Sequence, residues 1–281
     1  MTPLRWLIAC LGLLAIAGCA SLLRPVGSGL DAGIRNHDDP ATVSAALPAY
    51  LVLLDGLIEG RSDSAPLLSA AASLYGTYSG SFIDEPERAK RLSGRGFGYA
   101  RRLACLDERS PLCRDLDGPV DRFVDSVAAH PAKDVETLYV LGSSWTGYIQ
   151  AHSDDFRAIA ALPKAQALLE RVAAEDPRRE QGMVFVYLGV LHSLRPSAVG
   201  GQPERGRAAF ERAIVLSSGA NLMAKTLFAQ YYARLLFERP LHDRLVDEVL
   251  SADPVAPGLT LANTLAQERA RQLKETADEF F

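Results

Sequence analysis

Residues able to carry chemistry are scarce in this sequence. Its 281 residues include only four cysteines, five histidines and two tryptophans. The histidines are scattered and no CxxC or HxxxH spacing occurs, so no metal centre is expected. GxSxG, HExxH and P-loop motifs are missing, and no His–Cys pairing points to a nucleophile. The sequence therefore offers no catalytic residue and no cofactor site. A basic surplus is lacking too: 30 Lys and Arg face 34 Asp and Glu, for a formal net charge of −4. That balance excludes the electrostatic footprint of a nucleic-acid binder. What is present, 48% apolar and 23% charged residues, is the composition of an ordinary folded protein.

The N-terminus reads as a lipoprotein signal. Arg5 is followed by Trp6–Gly18, 13 residues without a charge. A membrane span needs roughly 20 apolar residues, so this run suits a secretory leader. It ends in Ile16-Ala17-Gly18-Cys19, a lipobox: an aliphatic residue, two small ones, then a thiol to acylate. The competing reading is a plain leader in which Cys19 is incidental. Cleavage after residue 18 leaves 263 residues, enough for one domain or two, with roughly 70–75% of the unfolded surface buried. Two or three acyl chains hold a protein firmly at a bilayer, whereas one holds it weakly. Residues 19–40, rich in Gly, Ser, Asp and Asn, read as the lipidated end and its spacer. Ala20 stands where an Asp would signal inner-membrane retention by the enterobacterial rule, which favours a periplasmic body on the outer membrane.

Two cysteines remain in the body. Cys105 and Cys113 either close a small loop in an oxidising compartment or are two separately buried thiols.

Residues 41–281 read as helix after helix, because apolar residues recur at helical spacing and no alternating run is flanked by hairpin turns. Leu47, Tyr50, Leu51, Leu54, Leu57 and Ile58 share one face over about 43–60. A second helix covers about 65–82. A third is expected to be capped by Asp84, with Pro86 and Glu87 in its first turn, and to run to about Leu106. Shorter pieces follow at about 118–129 and 134–151. Further helices start at Pro163, Gly182 and Pro203, then cover about 220–237, 240–251 and 258–279. A helix ending Asp176-Pro177, then Tyr187-Leu188-Gly189, then Ala209, Phe210 and Ala213, resembles a degenerate tetratricopeptide repeat. The expected fold is all-α: a repeat-like solenoid in which helix pairs wind into a right-handed superhelix, with a concave side suited to binding.

Within this frame the candidates for function are few. Gly94-Arg95-Gly96-Phe97-Gly98 has the look of a phosphate loop but lies inside the third helix, where close helix packing explains it better. Arg88, Arg91, Arg95 and Arg102 form one stripe of that helix: a solvated face, or a surface for an acidic partner or lipid headgroups. Trp145, Tyr148, Tyr187 and Tyr231 read as core or as the lining of a ligand groove. Asn263, between Leu261 and Leu265, reads as a buried backbone-bonding amide or as a ligand contact.

Several segments together resemble the T-component family of TRAP transporters. They are residues 47–57 (LPAYLVLLDGL), residues 67–75 (LLSAAASLY), Gly200-Gly201 before Pro203, residues 210–214 (FERAI), residues 261–266 (LANTLA) with Arg269-Ala270, and the ending Asp278-Glu279-Phe280-Phe281. The resemblance implies an all-helical periplasmic lipoprotein without catalytic residues. It implies pairing with the transporter's solute-binding protein, assembly as a trimer, and a cleft that helps hand over a hydrophobic organic acid. The glycines at 94, 96 and 98 depart from the pattern expected in that helix. A scaffold lipoprotein that organises envelope proteins without a small molecule is the alternative.

Overall fold

The computed structural model describes residue 29, residues 31–61 and residues 63–281. The leader, Cys19 and most of the spacer lie outside the described residues. Among those described the chain is all-α, with no strand.

Proline in the first turn recurs as the opening device of these helices, where its missing amide has no partner to lose. It opens α1 (Pro40–Gly60), α2 (Ala65–Ser81), α3 (Pro86–Ala104), α6 (Leu162–Glu175), α8 (Pro203–Leu216) and α10 (Arg239–Ser251). Between and beyond them lie α4 (Val120–Ala128), α5 (Val135–Ala151), α7 (Met183–Ser193), α9 (Leu222–Leu227) and α11 (Thr260–Glu275). Helix α9 continues into a π-helical turn, Phe228–Ala233. Asp39 caps α1 by accepting the Ala41 amide at 3.0 Å. Asp84 does not cap α3: that position belongs to Glu85, whose backbone is extended and whose side chain makes no capping bond. Part of the spacer is helical, over residues 31–35.

Successive helices pack on one another: α2 on α3, α3 on α5, α5 on α6, α6 on α7 and α7 on α8. One apolar core runs beneath α1 to α7 and includes Leu47, Leu68, Phe123, Leu141 and Leu169. A second lies beneath α7 to α11, around Phe210, Phe228, Tyr232, Val246 and Ala270. Helix α11 also touches α1. Asn36 accepts the Gly258 amide at 2.6 Å, and Arg35 reaches Glu180 at 3.0 Å, so the start of the body is fastened to its later part.

Glycine sets two of the closest approaches. A Cβ on Gly96 would lie 2.9 Å from the Tyr75 Cβ and 3.2 Å from the Ala72 carbonyl. This contact, between α3 and α2, accounts for Gly96, whereas a Cβ on Gly98 meets nothing within 4 Å. Gly206 of α8 presses on Ser193 and on the Gly189 carbonyl of α7, so the alanine of a regular repeat has no room there. Cys105 and Cys113 form a disulfide that ties the end of α3 to the short helix Pro111–Arg114.

On α1 the apolar residues split. Leu47, Leu51 and Ile58 are buried, Tyr50 and Leu54 are half-buried, and Leu57 faces solvent. The face turned to the body also carries Val43, so the stripe read from the sequence was rotated by part of a turn.

Candidate functional site

The α3 arginines Arg88, Arg91, Arg95 and Arg102 are all exposed, and three of them also lie over tyrosine rings. Arg88 lies over the Tyr78 ring and donates to its hydroxyl at 3.3 Å, and Arg102 lies over the Tyr99 ring. Arg95 covers the Tyr75 ring and pairs with Asp55 at 2.8 Å. Asp55 is a hub: Tyr75 donates to one carboxylate oxygen at 2.8 Å and Tyr99 to the other at 2.6 Å. Burial, followed by the hydrogen bond to Asp55, pushes both phenols up, so they remain donors. The hub clamps α1 to α2 and α3. Arg91 is exposed and has no acidic partner among the described residues.

The candidate groove residues fall into four separate places. Trp145 is buried, 4.9 Å from the Phe97 ring and edge-on to Phe123 at 5.7 Å. Tyr148 joins the same cluster through Phe97 and stacks on His152 at 4.0 Å. Beneath them Lys164 donates to the carbonyls of Leu116 and Gly118, pinning the turn before α4. Tyr187 packs by Tyr139, whose hydroxyl donates to Glu180 at 2.7 Å. Tyr231 projects from the π turn and accepts from the Gln150 amide at 2.9 Å. Asn263 is fully buried and its amide is occupied. It accepts from the Leu222 amide and donates to the carbonyls of Ala220 and Pro254. The backbone-bonding reading fits Asn263, and packing fits Trp145.

A groove does exist, elsewhere. It lies where α6, α7 and α8 meet and has a volume of about 310 Å³. Its apolar lining comes from Phe185, Leu188, Ala208 and Ala209. At its rim Arg205 pairs with Glu170 at 2.7 Å, while the exposed Arg212 has no acidic partner among the described residues. His192 also borders it. Burial, with the charge of Arg205, pushes the His192 imidazole down to about 4, so the ring is neutral at ordinary pH. The Gln166 amide donates to Nδ1 at 3.2 Å, leaving the proton on Nε2, 3.9 Å from a Glu170 oxygen. The chemistry on offer is an apolar slot with a neutral donor and a cation, suited to holding a small amphipathic anion. Among the described residues no cluster of His, Cys, Asp and Glu could hold a metal.

Sequence reasoning missed both Asp55 and this groove. A lone carboxylate amid Leu51-Val52-Leu53-Leu54 and Leu57-Ile58 was a usable signal for Asp55. The groove is assembled from three helices, and no local spacing marks it.

Comparison with known proteins places the chain. The profile of the TRAP transporter T-component family matches residues 36–281. This chain belongs to that family. An uncharacterized protein of Treponema pallidum (strain Nichols) is 28% identical over 268 residues, covering 87% of this chain and 81% of the relative. A T-component is an accessory part of a TRAP transport system, which is not a class of enzyme. It associates with that transporter.

Proposed function

We propose that this T-component is a periplasmic lipoprotein, held at the membrane by lipid on Cys19, that docks the solute-binding protein of its transporter. It holds a hydrophobic organic acid in transit. We place the acid in the groove of α6, α7 and α8, its chain against Phe185 and Leu188 and its carboxylate toward Arg212. The observation that carries this reading is Arg212, without an acidic partner among the described residues, beside an apolar slot, since a guanidinium matches a carboxylate and the slot matches its chain. The helices act as a repeat-like scaffold whose curved side receives the partner, and the assembly is a trimer. These statements also draw on the family resemblance.

Affinity capture of the full-length protein from gently solubilised envelopes tests the reading. A solute-binding protein should co-purify in stoichiometric amount, and Arg212→Glu should deplete a carboxylic acid found in the purified complex. Recovery of envelope-assembly proteins alone would replace this reading with that of a scaffold.

A further inference from the structure

The segment that leads into the body is fastened to it by a few polar contacts. Residues 31–35 form a short helical stretch ahead of α1. Arg35 pairs with Asp31 at 2.9 Å inside that stretch and with Glu180 at 3.0 Å across to the body. Asn36 accepts the Gly258 amide at 2.6 Å, and Ile34 packs on the first core. The two landing points are joined to each other, since the Gln181 side-chain amide donates to the Pro257 carbonyl at 3.0 Å.

Both landing points carry left-handed backbone. In the turn Arg179–Gly182, between α6 and α7, φ is +44° at Glu180, +56° at Gln181 and +83° at Gly182, and Gly258 stands at +74°. Glycine adopts this conformation freely, but Glu180 and Gln181 persist in it only where surrounding contacts hold them. On one side those contacts are Arg35 and Pro257. On the other is Tyr139, whose hydroxyl donates to Glu180 at 2.7 Å.

This turn sets the walls of the groove. Helix α7 leaves it directly, with Phe185 three residues after Gly182. Gly182 also lies against α8, where a Cβ on it would come 3.1 Å from the Leu216 Cβ. Helix α6, the remaining wall, ends at Glu175, just before the turn. A change in the backbone of the turn therefore moves α7 and α8 against α6, and the Arg205–Glu170 pair at the rim spans the same joint.

We propose that residues 31–36 are a strap that holds the groove of α6, α7 and α8 closed, and that drawing the strap off the body opens it. The strap is the part of this closure suited to yield. The Arg35 and Glu180 side chains are 42% and 36% exposed, and Asn36 is exposed, so water readily replaces their bonds. Tyr139, by contrast, is buried. The strap also lies nearest the anchor. Asp31 follows Cys19 by twelve residues, at most about 40 Å of extended chain, so a pull on the lipidated end reaches Arg35 and Asn36 before any core helix. The inference deepens the proposed function and rests on it for the lipid on Cys19 and for the acid that the groove releases. The closure itself rests on the contacts of the strap and the turn.

The test is thiol labelling of Ala209→Cys, a buried position in the groove wall, in the full-length protein with no acid added. Labelling is read on the peptide that carries residue 209. Removing the strap contacts with Arg35→Ala and Asn36→Ala together should raise the rate at least about fivefold, with amide exchange rising over residues 178–188 and unchanged in α3 and α5. Asp31→Ala, which leaves the Glu180 pair in place, should change the rate less than about twofold. An unchanged rate in the Arg35→Ala, Asn36→Ala protein overturns the proposal. So does a faster rate accompanied by equal gains of exchange throughout α3 and α5, because the strap would then only stabilise the fold. A second arm adds octanoate, which should slow labelling of the native groove. Octanoate without effect removes the acid from the groove and counts against the proposed function alone, since the acid-free rates decide the strap.

Discussion

Helices α1 and α5 look alike in sequence and live differently in the fold. The first carries two acids in 21 residues and the second a single glutamate in 17. Yet α5 buries nine residues, packed by α3 and α6, whereas α1 buries four and leaves Val52, Leu53 and Leu57 in solvent. Apolar content fixes what a helix will bury, not which molecule covers it. In α5 the cover comes from the same chain; in α1 the described residues leave Val52, Leu53 and Leu57 uncovered.

Three tests sharpen that contrast. The largest effect is expected in α5. Trp145→Ala removes a ring wedged between Phe97 and Phe123 and should destabilise the fold by about 3–5 kcal/mol, while Leu53→Ala in α1 should change the stability of single chains by less than ~0.5 kcal/mol. Chemical denaturation of both variants reads the difference, and equal losses would erase it. Next comes the clamp on α1. Asp55→Ala strands the hydroxyls of Tyr75 and Tyr99 and the Arg95 guanidinium, and should cost about 1–3 kcal/mol. Amide exchange should then rise along α1 before it rises along α5; a uniform rise would show that Asp55 is not a local clamp. The smallest effect is a pair of glycines. A Cβ on Gly142 of α5 falls 3.0 Å from the Leu169 side chain, so Gly142→Ala should destabilise by ~1–2 kcal/mol through overpacking. A Cβ on Gly56 meets nothing, so Gly56→Ala should raise the stability of single chains by up to about 1 kcal/mol. Thermal melts of the two would decide, and a loss at Gly56 would mean that α1 is covered within its own chain.

Much of the fold was legible because it is local. Helical spacing marked every long helix, and first-turn prolines marked many of the starts, since both act within a few residues. The π turn at Phe228–Ala233 was not legible, because an inserted backbone residue leaves the apolar spacing nearly unchanged. The α3 cap was misplaced by one residue: Asp84 is the better capping type, but Pro86 fixes the first turn and puts Glu85 at the cap. The outward turn of Leu57 escaped for a different reason. Spacing defines an apolar stripe, and neighbours distant in sequence decide which part of it they cover. The same limit hid the groove, where Glu170, His192 and Arg205 come from three helices. Of the residues proposed for a groove, Trp145 and Asn263 are buried and take part in ring packing and backbone pairing.

A role in solute uptake is the central claim for this T-component. The direct measurement is transport of a panel of short- and medium-chain carboxylic acids by cells that lack this chain. Uptake of at least one acid should fall, recover with the native protein and fail to recover with Arg212→Glu. Unchanged uptake of every acid in the cells lacking it would contradict the account.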